Sequence, residues 1–192
     1  MEGYNEELAK TVKLLREARL DASKGLPEEL FWLVSSLTPI VNVDLLVVND
    51  AGQLLLARRN DAFHPECWHI PGGCVRFGES LMDRVHLTAH RELGCDVIAE
   101  SNPIAIRDAI RGPIQNWDYP NERRHFVSIL YKCYLPKGTI IRNDNRTEAD
   151  AGYLKWFDVL PEDLVEIQHI YDDILEKWNE KREETEENGF SE

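Results

Sequence analysis

The stretch Gly73-Cys74-Val75-Arg76-Phe77-Gly78-Glu79-Ser80 runs into a segment that ends Arg91-Glu92-Leu93-Gly94. Gly78-Glu79-Ser80 opens a helix there, and Gly94 is its C-terminal stop, since glycine takes the left-handed conformation that ends helices. Upstream, Trp68-His69-Ile70 reads as a short strand leading into Pro71-Gly72-Gly73, and residues 74–77 are extended. A strand, a glycine-bearing loop and a helix therefore follow one another, and the remaining elements are placed around them.

Val41, Val43, Leu45 and Val47 alternate with Asn42, Asp44, Leu46 and Val48, a strand with a largely polar start and a buried end. Asn49-Asp50-Ala51-Gly52 has turn chemistry, and residues 53–59 return as a second strand. Residues 60–67 form a loop. Further strands are expected at 104–110, 124–135 and 153–157, and a long helix from Pro161 to about residue 187. Residues 188–192 are expected to be a disordered tail. Toward the N-terminus, Leu8, Val12, Leu15 and Arg19 recur at helical spacing, predicting an amphipathic helix over 5–20. Gly25 and Pro27 break it, and Pro27-Glu28-Glu29 starts a second, short helix reaching residue 37. The order of elements predicts an α+β domain over 39–187, a mixed sheet between helices, preceded by a helical extension over 1–38.

The chain has 192 residues, 43% hydrophobic and 30% charged, which suits one globular domain with a real core. Its net charge of -13 is concentrated at one end. From Pro161 onward 12 acidic residues face 3 basic ones, which leaves -4 for the first 160 residues. That balance argues against a surface tracking nucleic-acid phosphates, which needs clustered cations. The extra helices carry no basic stripe, which disfavours a helix-turn-helix regulator. No apolar run approaches the roughly 18 residues needed to cross a bilayer, so no membrane partner is expected. The charged first 20 residues hold no apolar secretory core, so the expected address is cytoplasmic. Cys67, Cys74, Cys95 and Cys133 are spread without a C-x-x-C pair and are expected as reduced, mostly buried thiols.

The spacing from Gly73 to Glu79, and from Glu79 to Glu92 and Gly94, resembles the Nudix box: a glycine, five residues, a glutamate, seven residues, then Arg-Glu-apolar-x-Glu-Glu-x-Gly. The Trp68 to Gly73 run, the hairpin before it and Leu154-Lys155-Trp156-Phe157 after it are similar to the same family, so the resemblance covers roughly residues 41–160. It implies the Nudix fold and a hydrolase of nucleoside diphosphate derivatives that uses Mg²⁺ or Mn²⁺. The physical logic is that divalent cations on oxygen ligands moderate the dense charge of a diphosphate. A glycine pair lets the backbone come close enough for the Gly72 carbonyl to ligate metal, facing a glutamate near the helix end. The metal polarises phosphoryl oxygens and acidifies a bound water.

The box is thinned here. Where the pattern has Arg-Glu-apolar-x-Glu-Glu, the chain has Leu87-Thr88-Ala89-His90-Arg91-Glu92. Thr88 shares a helix face with Glu92 but does not replace a carboxylate ligand. Glu79, which in the family pairs with the box arginine, meets Leu87 at that position. It either joins the metal and orients water or is a solvated residue opening the helix, where acids are favoured by the dipole. The pattern is similar to that of the GDP-mannose mannosyl hydrolases, which keep the final glutamate and draw ligands from the glycine carbonyl and a later loop. That likeness implies Gly72, Glu92 and Asp150 as metal ligands, with Glu148 as the alternative in the late loop, and Asp44 and Arg59 as contacts of a nucleotide sugar. The subgroup's arginine after the glycines is Cys74 here, its box arginine is Leu87, and its catalytic histidine aligns with Ala151. The metal scaffold therefore carries over and the substrate does not; Arg76 and Arg91 are the nearby cations, with Arg76 assigned to substrate.

Two functional readings follow: a metal-dependent hydrolase of a nucleoside diphosphate derivative such as a nucleotide sugar, or a Nudix-fold binding or sensor protein that has lost turnover along with two box glutamates. The N-terminal helix is expected to pair two copies into a homodimer, as in other small enzymes of this fold. His69 and His125 fall in strands and read as packed or hydrogen-bonded. His86 and His90 lie four apart without a third ligand and read as surface. Trp117 and Tyr119 either stack on a base or sugar or cap their loop. Arg107, Arg111, Arg123 and Arg124 either meet phosphate or are solvated.

Overall fold

The computed structural model describes residues 2–61, 66–112 and 121–179, with side chains from residue 5 onward. Two N-terminal helices, α1 (Glu2–Glu17) and α2 (Glu28–Leu37), precede the strands β1 (Ile40–Val47), β2 (Leu54–Arg59), β3 (Cys67–His69) and β4 (Gly72–Cys74). Helix α3 (Leu81–Leu93) follows, then β5 (Ile98–Ala99), β6 (Ala105–Ile110), β7 (His125–Tyr134) and β8 (Leu154–Phe157). A 3-10 turn, Glu166–Tyr171, leads into a last helix, α4, over residues 172–179.

The strands form two sheets. In the larger, β4, β1 and β7 lie side by side, with β5 and β6 both pairing along the far side of β7. The β1–β7 pair is parallel and all the others are antiparallel. The smaller sheet is antiparallel, ordered β3-β2-β8. Strand β1 is buried on both faces, which explains why its sequence turns from alternation to a continuous apolar run. Val43, Leu45 and Val47 join Val85, Ala89 and Leu93 of α3 in one core. Leu46 and Val48 point the other way and join Tyr171 and Leu175 of the C-terminal segment in a second. The mixed sheet thus lies between helices, as the order of elements predicts.

Helix α3 has both ends fixed by local chemistry. The Ser80 side chain accepts from the Asp83 N–H and the Asp83 carboxylate accepts from the Ser80 N–H, a reciprocal cap. Gly94 closes the helix at φ 69.

The structure corrects the sequence reading at four places. Gly72-Gly73 is not a loop but most of β4, with Gly72 opposite Asp44 and Gly73 opposite Val43. The C-terminal helix does not begin at Pro161. Residues 163–165 instead line the free edge of β3: the Trp68 N–H donates to the Asp163 carbonyl (2.9 Å) and the Val165 N–H to the Trp68 carbonyl (2.8 Å). Backbone groups of an unpaired strand outbid helix propensity there. Strand β5 was not expected; two residues carry too little pattern to read. Helix α1 exists, yet every described side chain in it is exposed, including Leu8, Val12 and Leu15. Its amphipathic face is left largely open to solvent. The expected tail and the last residues of the C-terminal helix fall outside the described residues.

Strand β4 can lie this close to β1 and α3 only because its first two residues lack side chains. A Cβ on Gly72 would overlap Asp44 Oδ1 and stand 3.0 Å from the Val43 carbonyl oxygen. A Cβ on Gly73 would stand 2.6 Å from Thr88 Oγ1. Gly72→Ala is therefore expected to lower unfolding free energy by about 1–3 kcal/mol. Gly112→Ala, where a Cβ meets nothing within 4 Å, is expected to be near neutral. Denaturant unfolding of the two variants checks the contrast.

Candidate functional site

The glycine strand and the end of α3 meet at Arg91. Its Nη2 donates to the Gly72 carbonyl oxygen at 2.9 Å and lies 2.9 Å from Glu92 Oε1. Its Nε donates to the same Glu92 oxygen at 3.0 Å. A backbone carbonyl and a carboxylate on different elements thus converge on one cationic nitrogen. Thr88, one helical turn before Glu92, is fully buried, and its hydroxyl has no hydrogen-bond partner among the described residues.

Beside Gly72 on the next strand lies Asp44, 4% exposed. Asn42 Nδ2 donates to its Oδ1 at 2.9 Å and Tyr171 O–H to its Oδ2 at 2.8 Å. Burial raises the Asp44 pKa to about 6 against these hydrogen bonds, which favour the anion. The neighbouring wall is held by Gln168, whose carboxamide accepts from the Ile70 N–H (2.7 Å) and donates to the Ile70 carbonyl (2.9 Å).

Asp44, Gly72 and Glu92 line a cavity of about 830 Å³. Arg59 and Arg76 line it too, with Arg58, Arg84, Arg91, Arg111 and Arg123. Against these seven arginines stand three acids among the described lining residues, Asp44, Asp61 and Glu92. An acidic chain has enclosed a basic cavity, a field that favours a polyanion. Arg59 Nε is held by Asp61 at 2.6 Å and Arg58 Nη1 by Asp163 at 2.7 Å. Arg111 loses proton affinity mainly to burial and then to repulsion from Arg123 and Arg59. The N-terminal extension supplies part of the wall through Ala22, Gly25, Leu26, Phe31 and Val34. Ser35 of α2 anchors it by accepting from the Arg123 N–H at 2.9 Å.

Two of the sequence-derived site residues are not in that lining. Glu79 is largely covered and held by arginine: Arg84 grips it with Nε at 2.8 Å and with Nη2, and the Arg76 N–H donates to it at 2.9 Å. Burial works to raise the Glu79 pKa, but these bonds outweigh it and hold the carboxyl below its usual range. Arg84 thus does the work expected of the box arginine. Asp150 closes its own turn, accepting from Thr147 N–H (2.6 Å) and Thr147 O–H (2.7 Å). Glu148 pairs with Lys155 at 2.8 Å. His86 bonds Asp96 at 2.6 Å and His90 stands 4.0 Å from it, at the surface. Arg107 meets Asp173, and Arg124 binds the Arg111 carbonyl. Trp117 and Tyr119 lie outside the described residues. All four cysteines are free thiols.

The donor set suits a hard divalent cation in one respect and is sparse in another. Two oxygens already share a cationic partner, and Mg²⁺ takes few protein ligands, completing its shell with water and phosphate. Among the described residues no three His, Cys, Asp or Glu side chains gather to hold a metal alone. Arg84 is the important residue that sequence reasoning passed over; Arg91 was named as a nearby cation, but its span of the Gly72 carbonyl and Glu92 was not foreseen. A cation near the start of α3, against the helix dipole, was the signal for Arg84. A reversed charge at a box position was the signal for Arg91.

The profile of the NUDIX domain matches residues 38–186. A low-salt glycan biosynthesis protein, Agl8, of Haloferax volcanii is 37% identical over 76 residues, 40% of this chain and 48% of that one. The matched stretch spans about half the length of that curated relative. Among solved structures, a UDP-X diphosphatase covers 96% of this chain and 82% of its own at 20% identity and TM-score 0.51. An ADP-ribose pyrophosphatase of Streptococcus suis covers 75% and 92% at 21% identity and TM-score 0.51. A MutT NUDIX hydrolase of Burkholderia pseudomallei covers 74% and 97% at 24% identity and TM-score 0.50. These likenesses establish the fold.

Asp44 carries a pH signature. Folding raises its pKa from 3.8 to about 6, so within that window the folded chain binds more proton than the unfolded one. Stability contributed by the protonated carboxyl is present below pH 3.8 and is lost as pH rises through about 6. The unfolding free energy of the wild type minus that of Asp44→Asn is expected to fall by roughly 2–3 kcal/mol across that window. Denaturant unfolding at a series of pH values reads it; a difference that rises with pH contradicts the assignment.

Proposed function

This chain belongs to the NUDIX domain family, a family of hydrolases, and on that premise we propose that it is a metal-dependent hydrolase of a nucleoside diphosphate derivative, specifically a nucleotide sugar. The observation that carries the reading is the Gly72 carbonyl and Glu92 carboxylate converging on one cationic nitrogen, in the wall of a cavity rich in arginine. Gly72 and Glu92 hold Mg²⁺ or Mn²⁺ in this reading. Such a cation supplies Lewis acidity toward the phosphoryl oxygens and an activated water. Arg59 and Arg76 bind the diphosphate by charge-assisted hydrogen bonds. Asp44, buried and already accepting two hydrogen bonds, offers its carboxyl to a hydroxyl or N–H of the nucleotide sugar. Glu79 acts through Arg84 to fix the strand-to-helix turn, and Asp150 fixes the late loop. The relative named for glycan biosynthesis supports a nucleotide sugar over other nucleoside diphosphates.

A second reading, a nucleotide sensor without turnover, is favoured by Thr88 and Arg91, which stand where the box has glutamates. A panel of nucleotide sugars and dinucleotides incubated with Mg²⁺ separates the two. Product from one of them, reduced at least about 100-fold in Glu92→Ala, is the expected result. Silence across the panel, with ligand still raising stability by about 2.7 kcal/mol at a hundredfold excess over Kd, favours the sensor. Pairing of two copies through α1 is part of the same proposal, supported by its exposed Leu8, Val12 and Leu15. Light scattering is expected to give twice the chain mass, and the chain mass itself after Leu8→Glu with Leu15→Glu.

A further inference from the structure

Arg91 holds a position where the box carries a glutamate, and its guanidinium spans the two oxygens that the proposed function assigns to metal. Nη2 lies 2.9 Å from both, and Nε lies 3.0 Å from the Glu92 oxygen. Nη2 is also 3.2 Å from the point where a Cβ on Gly73 would stand. The absence of a side chain there is what admits the guanidinium. One turn earlier Thr88 brings a neutral hydroxyl, and Leu87 brings no charge. Over positions 87, 88, 91 and 92 the box pattern carries a net -2, whereas this chain carries zero. A guanidinium stays protonated throughout the physiological range. It therefore repels a second cation at close range. With 51% of its side chain exposed, it has solvent to move into.

We infer that Arg91 and a divalent cation are alternative partners of the Gly72–Glu92 oxygen pair, so that Arg91 sets how weakly the free protein binds metal. The inference rests on the reading of that pair as the metal seat. Two neighbouring oxygens satisfied by a cation gain little from a second one unless the first withdraws. Metal must therefore displace two charge-assisted hydrogen bonds as well as overcome like-charge repulsion.

The test is Mn²⁺ alone, titrated into the full chain and followed by the electron paramagnetic resonance signal of the free ion. Arg91→Gln is expected to bind Mn²⁺ roughly tenfold more tightly than the wild type, the repulsion at close range being worth at least that factor. Arg91→Lys, which keeps the charge, is expected to remain near the wild type, and Glu92→Gln to lose the site. Arg91→Ala serves the same comparison should the glutamine variant fail to fold by circular dichroism. Unchanged or weaker binding in Arg91→Gln, or an equal gain in Arg91→Lys, overturns the inference while the Glu92-dependent seat stands. If no variant shows a Mn²⁺ site sensitive to Glu92→Gln, the metal seat and the inference fall together.

Discussion

The close approach of a glycine pair in a strand to a helix is the constraint on which the rest of this molecule depends. Strand β4 lies in register with β1, so that Gly72 faces Asp44, and α3 rests against it through Thr88 and Arg91. Any side chain at Gly72 or Gly73 separates these layers. The carbonyl of Gly72 would then leave Arg91 and Glu92, and the floor of the cavity would part from its wall. Packing and chemistry are here the same requirement, since the space that a Cβ would fill is the space in which the polar groups meet.

Around that seam the charges are sorted with care. A chain of strongly negative total charge collects arginines from five separate stretches into one concavity. Several are held by acids placed for the purpose: Asp61 for Arg59, Asp163 for Arg58, Glu79 for Arg84. Pairing keeps like charges from driving the walls apart. Net charge describes how a protein behaves in bulk, whereas a lined cavity describes what it holds.

Much of the fold was legible because its signals are local. The Ser80 and Gly94 ends of α3 follow from cap chemistry, and the double burial of β1 follows from its apolar run. The register of Gly72 and Glu92 was legible from the box spacing. What escaped is non-local. Arg84 stands near the start of α3, against the helix dipole, but only the fold of the turn before it shows that its guanidinium reaches back to Glu79. Nothing near Pro161 tells that the next residues will bind the edge of β3, because that edge is made some ninety residues earlier. Tyr171 reaches Asp44 from the other end of the chain. Strand β4 was misread because two glycines look like a turn until the neighbours that exclude a side chain are known.

One wall of the cavity comes from residues 22–34, ahead of the segment that matches the family. The boundary of the family match therefore runs through the concavity and not around it. Chains alike from β1 onward can present different far walls simply by exchanging this segment. Selectivity is then free to change through this one wall, with the seam between strand and helix left untouched.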